Sequence, residues 1–169
     1  MKKRIFLVLA PVLATGLFMH PARADSLLIA AKGGLQTMDF EELGSANSSL
    51  MAVVQMGYEF TTFWSSTLAG ELEISSSLDK GDVQNQDFNL QNTALYASLR
   101  GQGNYYFIGK LGVVDTEVDF VDLANVDDTG AAATIGMGFG KTVGLELELT
   151  AYSYQEMGSS VVFSAGWSF

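Results

Sequence analysis

The sequence contains no cysteine, a single histidine and only nine basic residues in 169 positions. The lack of cysteine excludes a disulfide-stabilised scaffold and any thiol chemistry. Acidic residues outnumber basic residues by nineteen to nine, so the chain has no electrostatic basis for binding nucleic acid, and we expect no such partner. Aromatic residues are well represented, and two of them, Trp167 and Phe169, lie in the final stretch that gives the first indication of the fold.

The amino-terminal stretch has the three regions of a secretory signal peptide. Residues 2–4 are basic, an apolar run extends from Ile5 to Met19, and Ala22 and Ala24 form an A-x-A cleavage signal. The run is too short for a typical transmembrane helix, although a retained membrane anchor is the alternative. We therefore predict two segments: a cleaved signal peptide over 1–24 and a single domain over 25–169.

Removal of the signal peptide changes the chemistry of the chain that remains. That chain keeps five basic and nineteen acidic residues, and it loses His20, the one histidine. A Ser-His or Asp-His base then becomes impossible, because no imidazole is left to accept a proton. We therefore expect that the protein is not an enzyme.

The last eleven residues alternate between apolar and small or polar side chains. The apolar positions fall on one face of an extended strand and are Val161, Phe163, Ala165, Trp167 and Phe169. A half-buried strand of an ordinary domain would also alternate in this way. The closing strand of an outer-membrane barrel does so too, because it must pair with the first strand while one face meets lipid.

The same alternation recurs along the whole domain. Strands rich in leucine carry charged residues at every second position, as Glu146 and Glu148 do between Leu145, Leu147 and Leu149. Eight such strands can be counted, each near the 9–11 residues that a tilted strand needs to cross a bilayer. Short turns alternate with longer polar segments, and we predict loops at 40–49, 77–92 and 115–130.

These features predict an all-β fold, namely an eight-stranded antiparallel up-and-down transmembrane β-barrel. A soluble, lipocalin-like barrel acting as a periplasmic lipid carrier is the alternative, but its apolar residues would face inward. The pattern resembles the small eight-stranded outer-membrane β-barrel family, a porin-like group related to the membrane domain of outer membrane protein A and to OmpX-type barrels. The resemblance implies a monomer in the bacterial cell outer membrane.

The resemblance also implies partners. A barrel of this family contacts outer-membrane lipid and lipopolysaccharide. Its terminal strand, here the face formed by Val161, Phe163, Ala165, Trp167 and Phe169, is read by the barrel-assembly machinery. Polar loops at the cell surface can bind a further ligand, and the acidic loops of this chain are the candidates for such contacts.

Alternation also predicts which charged residues point into the barrel. Eight of them form a predicted lumen charge network: Lys32, Glu59, Glu71, Glu73, Arg100, Lys110, Glu146 and Glu148. By depth along the strands, Glu59, Arg100 and Glu146 should form a layer near the turns, with the others in a middle layer. Buried ions are costly unless they are paired, so we expect salt bridges across the lumen.

Two functions follow from such a lumen. A filled, charge-paired lumen gives a barrel with a structural or surface-interaction role. The alternative is a narrow, gated, cation-preferring channel, since five of the eight predicted lumen charges are negative.

The remaining motifs give no support for a bound metal or cofactor. Acidic residues cluster between Asp115 and Asp128, but their spacing lacks the calcium-binding pattern of an EF-hand loop. The glycines at 136, 138 and 140 do not open a helix and are better explained by a crowded lumen wall than by phosphate binding. We predict no cofactor and no metal.

Overall fold

The computed structural model describes residues 27–121, 124–140 and 143–169, except for the side chain of Phe63. The predicted cleavage site at Ala22 and Ala24 lies outside these residues. The described residues form ten β-strands: β1 (Leu27–Phe40), β2 (Gly44–Ser45), β3 (Ser49–Phe63), β4 (Ser66–Ser77), β5 (Gly81–Val83), β6 (Gln86–Gly101), β7 (Tyr105–Phe120), β8 (Val126–Phe139), β9 (Gly144–Tyr154) and β10 (Gly158–Ser168). Within them, no helix is long and apolar enough to cross a membrane.

Eight of these strands close into a barrel. Neighbours pair antiparallel in the order β10-β9-β8-β7-β6-β4-β3-β1, and β10 then pairs with β1 from Ala30↔Ser168 to Phe40↔Gly158. The N–H of Phe169 extends this pairing by donating to the carbonyl of Ile29 at 2.7 Å. Each of these eight strands pairs with two neighbours, and the predicted eight-stranded up-and-down barrel is confirmed.

The outward face of the barrel carries a continuous apolar belt. Its exposed members come from all eight barrel strands and include Ile29, Leu35, Val54, Met56, Leu68, Leu72, Ile74, Leu99, Phe107, Leu111, Val113, Ile135, Met137, Leu145, Leu149, Val161, Phe163 and Trp167. A soluble barrel would place such residues inside, whereas a barrel in lipid exposes them. The belt therefore marks the surface that meets the hydrocarbon of a membrane.

The two ends of the barrel differ. At one end, here called the turn end, the connections at 64–65 and 102–104 are tight, and four residues separate β8 from β9. At the other end, the loop end, eight residues separate β1 from β3 and β4 from β6, five separate β7 from β8 and three separate β9 from β10, and the short strands β2 and β5 pair with β1 and β6. In outer-membrane barrels, short turns face the periplasm and longer loops face outward.

Two of the three predicted loops are wrong for most of their length. Strand β6 already begins at Gln86, β7 runs to Phe120 and β8 begins at Val126, so strands replace much of 77–92 and 115–130. The acidic residues of β7 there are on the outward face of a regular strand, as Asp115 and Glu117 are, while Thr116 and Val118, which alternate with them, are buried. Beyond the belt the alternation continues, but here the outward residues are polar and the inward residues include apolar ones. The acidic composition of these segments made them resemble loops.

The reversal creates an apolar core in the loop-end half of the lumen. Three rings meet there: Phe88 lies 5.4 Å from Phe40 and 5.8 Å from Phe120 between ring centroids. Further members of this apolar cap are Met38, Met51, Val53, Val83, Leu90, Ala94, Tyr96, Val114, Val118, Ala132, Tyr152, Tyr154, Met157 and Val162. The lumen is therefore closed by packed side chains at its loop end.

Candidate functional site: an ion-pair ring in the lumen

Seven of the eight charged residues that alternation directs inward are buried in the lumen. They come from five strands and none is more than 6% exposed: Lys32, Glu71, Glu73, Arg100, Lys110, Glu146 and Glu148. The strands bring them together because each lies on the inward face at a similar level, on the turn-end side of the apolar cap. The eighth residue, Glu59, is only partly buried.

The two buried lysines each join two carboxylates. Lys32 Nζ lies 2.9 Å from Glu146 Oε2 and 2.7 Å from Glu148 Oε1. Lys110 Nζ lies 2.8 Å from the same oxygen of Glu148 and 2.9 Å from Glu71 Oε2. One carboxylate, that of Glu148, is therefore shared by two ammonium groups.

Arg100 completes the circuit on the opposite side. Its Nε donates to Glu71 Oε1 at 2.8 Å, and its Nη1 donates to Glu146 Oε1. The six side chains thus alternate in charge around a closed ion-pair ring: Lys32, Glu146, Arg100, Glu71, Lys110 and Glu148. Three cations balance three carboxylates, so the ring is neutral as a unit. Residues that we expected in two layers form one connected cluster.

Neutral side chains add further hydrogen bonds to the ring, two as donors and one as an acceptor. Ser98 Oγ donates to Glu71 Oε1 at 2.6 Å, and Tyr106 OH donates to Glu146 Oε1 at 2.9 Å. Gln55 Oε1 accepts from Lys32 Nζ at 2.8 Å. Such additional hydrogen bonds are what allows a buried ion cluster to offset its desolvation cost.

Glu73 is a fourth buried carboxylate that stands beside the ring. Tyr152 OH donates to its Oε1 at 2.8 Å, and Gln55 Nε2 donates to its Oε2. Both donors are neutral, so Glu73 differs from the three ring carboxylates, each of which is paired with two cations. The sequence analysis did not single out Gln55 or Tyr152, although alternation along β3 and β9 would have placed both on the inward face.

Glu59 is the last residue of β3 that keeps the inward alternation, because it pairs with the buried Ala69 and an irregularity follows it. The pairing of β3 with β4 shifts between Glu59 and Thr61, which is the signature of a β-bulge. A bulge adds one residue to a strand and so breaks the strict alternation of faces. Counting by twos along the sequence cannot detect this shift.

Glycines on the lumen wall make room for the ring. Gly166 pairs with Lys32 on one side and with Glu146 on the other, so the ion pair between those residues spans it. A Cβ at Gly166 would lie 2.1 Å from the carbonyl oxygen of Ala31. Gly136 is opposite Glu148, and a Cβ at Gly136 would lie 2.8 Å from Glu148 Cγ. The expectation that the glycines at 136, 138 and 140 serve a crowded wall holds at 136 and 138, where a Cβ would collide with Glu148 and Tyr106, whereas Gly140 follows the end of β8 and has a φ of 119°.

The apolar residues of the final strand face away from the lumen. Val161, Phe163, Trp167 and Phe169 are exposed on the belt, and Ala165 lies half-buried among them. This orientation follows from the alternation of β10, whose inward residues include Ser160, Ser164 and Ser168. The face that we predict as the assembly signal is therefore accessible from the membrane.

The loop end is strongly acidic on its exterior. Its exposed carboxylates are Asp39, Glu41, Glu42, Asp79, Asp87, Asp115, Glu117, Asp119, Asp127 and Glu156, whereas Lys80 is the basic residue described there. Asp122 lies outside the described residues. Among 27–121, 124–140 and 143–169, no group of three or more potential ligands is arranged to hold a metal ion.

Asp128 has a different role from these exposed carboxylates. It is buried, and its Oδ2 accepts hydrogen bonds from the backbone N–H groups of Glu156 and Met157, both at 2.7 Å. The carbonyl of Met157 in turn accepts from the N–H of Glu41 at 3.1 Å. Asp128 therefore holds the connection between β9 and β10 over the apolar cap.

Comparison with solved structures identifies the class of this barrel. Neisserial surface protein A matches with a TM-score of 0.59 at 15% identity, over 84% of this chain and 95% of that chain. Ail, the attachment invasion locus protein of Yersinia pestis, matches with a TM-score of 0.61 at 12% identity, over 85% and 99%. OprG from Pseudomonas aeruginosa matches with a TM-score of 0.55 at 12% identity, over 85% and 96%.

The fold is thus that of the small eight-stranded outer-membrane β-barrels, as the sequence pattern predicted. Fold and belt together indicate the bacterial outer membrane as the location of the protein. No protein-family model and no curated protein matches the sequence. A barrel of this kind does not by itself exclude enzymatic activity, because unrelated functions are built on common folds.

Proposed function

We propose that the protein is a non-conducting outer-membrane barrel with a structural or surface-interaction role. The observation that carries this proposal is the doubly closed lumen. The ion-pair ring fills the level of Lys32 and Arg100, and the apolar cap of Phe40, Phe88 and Phe120 fills the loop end. An ion crossing the barrel would have to displace both.

We further propose that the barrel is not an enzyme. Three of the lumen carboxylates, Glu71, Glu146 and Glu148, are engaged in ion pairs, and the sequence holds no histidine beyond His20. The pair Glu146 and Glu148 is committed to Lys32, Arg100 and Lys110 rather than to a substrate cleft. General acid–base chemistry requires a group within reach of a substrate, and these groups have no exposed surface.

The acidic loop end supports a cationic rather than an anionic surface partner. Ail has been solved in complex with the heparin analogue sucrose octasulfate, a polyanion. Ten exposed carboxylates at the loop end of the present barrel would repel such a ligand. We therefore propose that any surface contact involves basic groups, or divalent cations that bridge to lipopolysaccharide.

Export and assembly belong to the same proposal. Residues 1–24 would direct the chain to the periplasm as a signal peptide, leaving 25–169 as a monomeric barrel. The exposed face of β10 would then be recognised by the barrel-assembly machinery before β10 closes against β1. The accessibility of Phe163, Trp167 and Phe169 supports this step.

A narrow, gated cation channel is the second candidate, and Glu73 is the observation that favours it. Four carboxylates face three cations in the lumen, so the interior carries a surplus negative charge next to neutral donors. A transient rearrangement of the ring would expose this charge to a passing cation.

Single-channel recording in planar bilayers distinguishes the two candidates. We expect the folded barrel, verified by heat-modifiable gel migration, to insert stably and to give no discrete current steps. Cation-selective steps that change in Glu73→Gln would establish the channel instead. Asp119→Asn serves as the matched control, because it removes one negative charge from the exterior of β7 and leaves the lumen intact.

A further inference from the structure

A furrow of about 510 Å³ runs along the outward wall of the barrel at its turn end. Its floor is Gly109 on β7, where a Cβ would meet no atom within 4 Å. Gly109 pairs with Leu99 on β6 and with Ile135 on β8, and these two side chains form its walls. Phe107, two residues before Gly109 on the same outward face, lines the furrow on the turn side of this floor.

The walls stand well clear of the floor. Phe107 is 75% exposed, Ile135 is 68% exposed and Leu99 is 50% exposed, so their side chains project into the space outside the barrel. Glycine weakens the interior of a strand, and it often marks a place where a ligand approaches the backbone closely. The furrow is therefore an apolar recess in the belt, because Gly109 has no side chain to fill the space between its neighbours.

The mouth of the furrow is polar and lies at the level of the turns. Ser65, Ser66, Gln102 and Tyr105 line it. The two turns are fixed to each other, since the N–H of Gln102 donates to the carbonyl of Ser65 at 2.8 Å and Gln102 Nε2 donates to Thr67 Oγ1 at 3.2 Å. The mouth is therefore built from ordered hydrogen-bonding groups and the interior of the furrow from hydrocarbon.

We propose that this furrow binds one acyl chain of a phospholipid from the periplasmic leaflet, with the headgroup at the serines and Gln102. The furrow is continuous with the lipid-facing belt, so its occupant comes from the membrane. Its position at the turn end, which faces the periplasm in this architecture, selects the phospholipid leaflet over the leaflet that contains lipopolysaccharide. The change from polar to apolar lining matches the change from headgroup to chain.

Native mass spectrometry of the barrel extracted from phosphatidylethanolamine and phosphatidylglycerol vesicles tests the proposal. We expect the unmodified barrel to retain one phospholipid. The Gly109→Leu variant should lose it, because the leucine side chain fills the furrow. Gly33→Leu is the matched control. Gly33 is also on the outward belt, and a Cβ there has its nearest neighbour at 3.9 Å, but it does not line the furrow.

Three results would overturn the proposal: equal lipid retention in the unmodified barrel and Gly109→Leu, equal loss in Gly33→Leu, or a barrel that dimerises only while Gly109 is present. The last result would make a second copy of the chain the occupant. If Gly109→Leu does not fold, Ile135→Ala removes one wall and should also lose the lipid. Leu149→Ala, an exposed belt residue on β9 outside the furrow, should retain it.

Discussion

Lys32 and Glu146 form an ion pair across a strand that belongs to neither of them. Lys32 is on β1 and Glu146 is on β9, and the closing strand β10 runs between the two with Gly166 directly in line. The Lys32 Nζ to Glu146 Oε2 distance is 2.9 Å, and both side chains are fully buried. The pairing of β1 with β10 and the ion pair between Lys32 and Glu146 therefore both depend on Gly166.

The first prediction concerns Gly166. Gly166→Val should destabilise the closed barrel severely, because the new side chain would collide with the backbone of Ala31 and with Lys32 and would force apart the pairing of β1 with β10. The folded fraction on heat-modifiable gels and the urea unfolding midpoint in vesicles measure the effect. Gly33→Val, on the outward face of the same strand pair, should fold normally; comparable loss in both variants would contradict the argument.

The second prediction compares two buried carboxylates on β4. Glu71→Gln should lower the free energy of unfolding by about 3–5 kcal/mol, because Arg100 and Lys110 each lose a charged partner in the lumen. Glu73→Gln should cost distinctly less, since the donors to Glu73 are Tyr152 and Gln55. Urea titration in vesicles measures both, and equal costs would show that the ring is not a distinct energetic unit.

The third prediction concerns the apolar cap. Phe88→Ala should cost about 3–5 kcal/mol, because it removes a ring packed against Phe40 and Phe120 and leaves a cavity above Gly81. The variant should nevertheless conduct no ions in planar bilayers, since the ion-pair ring still closes the lumen beneath the cap. If the Phe88→Ala variant conducts ions and the unmodified barrel does not, the cap is the only barrier and the ion-pair ring does not close the lumen.

The fourth prediction concerns the connection between β9 and β10. Asp128→Ala should release residues 155–157 from the barrel mouth, because the N–H groups of Glu156 and Met157 lose their shared acceptor. Limited proteolysis of the reconstituted barrel should then cut within 155–157, while the transmembrane part stays protected. Asp119→Ala, an exposed change on β7, should leave the cleavage pattern unaltered; cleavage in neither variant would indicate other anchors.

The period-two alternation was sufficient to predict the barrel and the inward position of residues such as Lys32 and Glu146. It could not predict which cation meets which carboxylate, because that depends on the register of strands that are neighbours only after closure. The pairing of Lys32 with Glu146 requires Gly166 to lie exactly between them, and no local sequence signal encodes this alignment.

The prediction was wrong where the acidic content of a segment and its period-two alternation indicated different structures. Acidic residues such as Asp115 and Glu117 suggested a loop, although they alternate with Thr116 and Val118 as the residues of a strand do. Counting by twos holds as far as Glu59, which pairs with the buried Ala69, and fails only beyond it, where the register shifts before Thr61. Along β7 the environment of the outward face, lipid or solvent, decides what an alternating pattern means.

The reversal of the alternation along β7 also fixes the depth at which the barrel is immersed. Val113 is the last apolar residue on the outward face and Asp115 is the first acidic one, so the boundary between hydrocarbon and water falls between two adjacent outward positions. From Tyr105 to Val113 the strand rises by about 20 Å along the membrane normal, given about 3.3 Å per residue and a tilt of about 40°. Vertical movement in one direction would bring Asp115 into hydrocarbon, and movement in the other would expose Val113 to water. At this depth Gly109, midway between Tyr105 and Val113, lies near the middle of the hydrocarbon, and the furrow runs from it toward the turns.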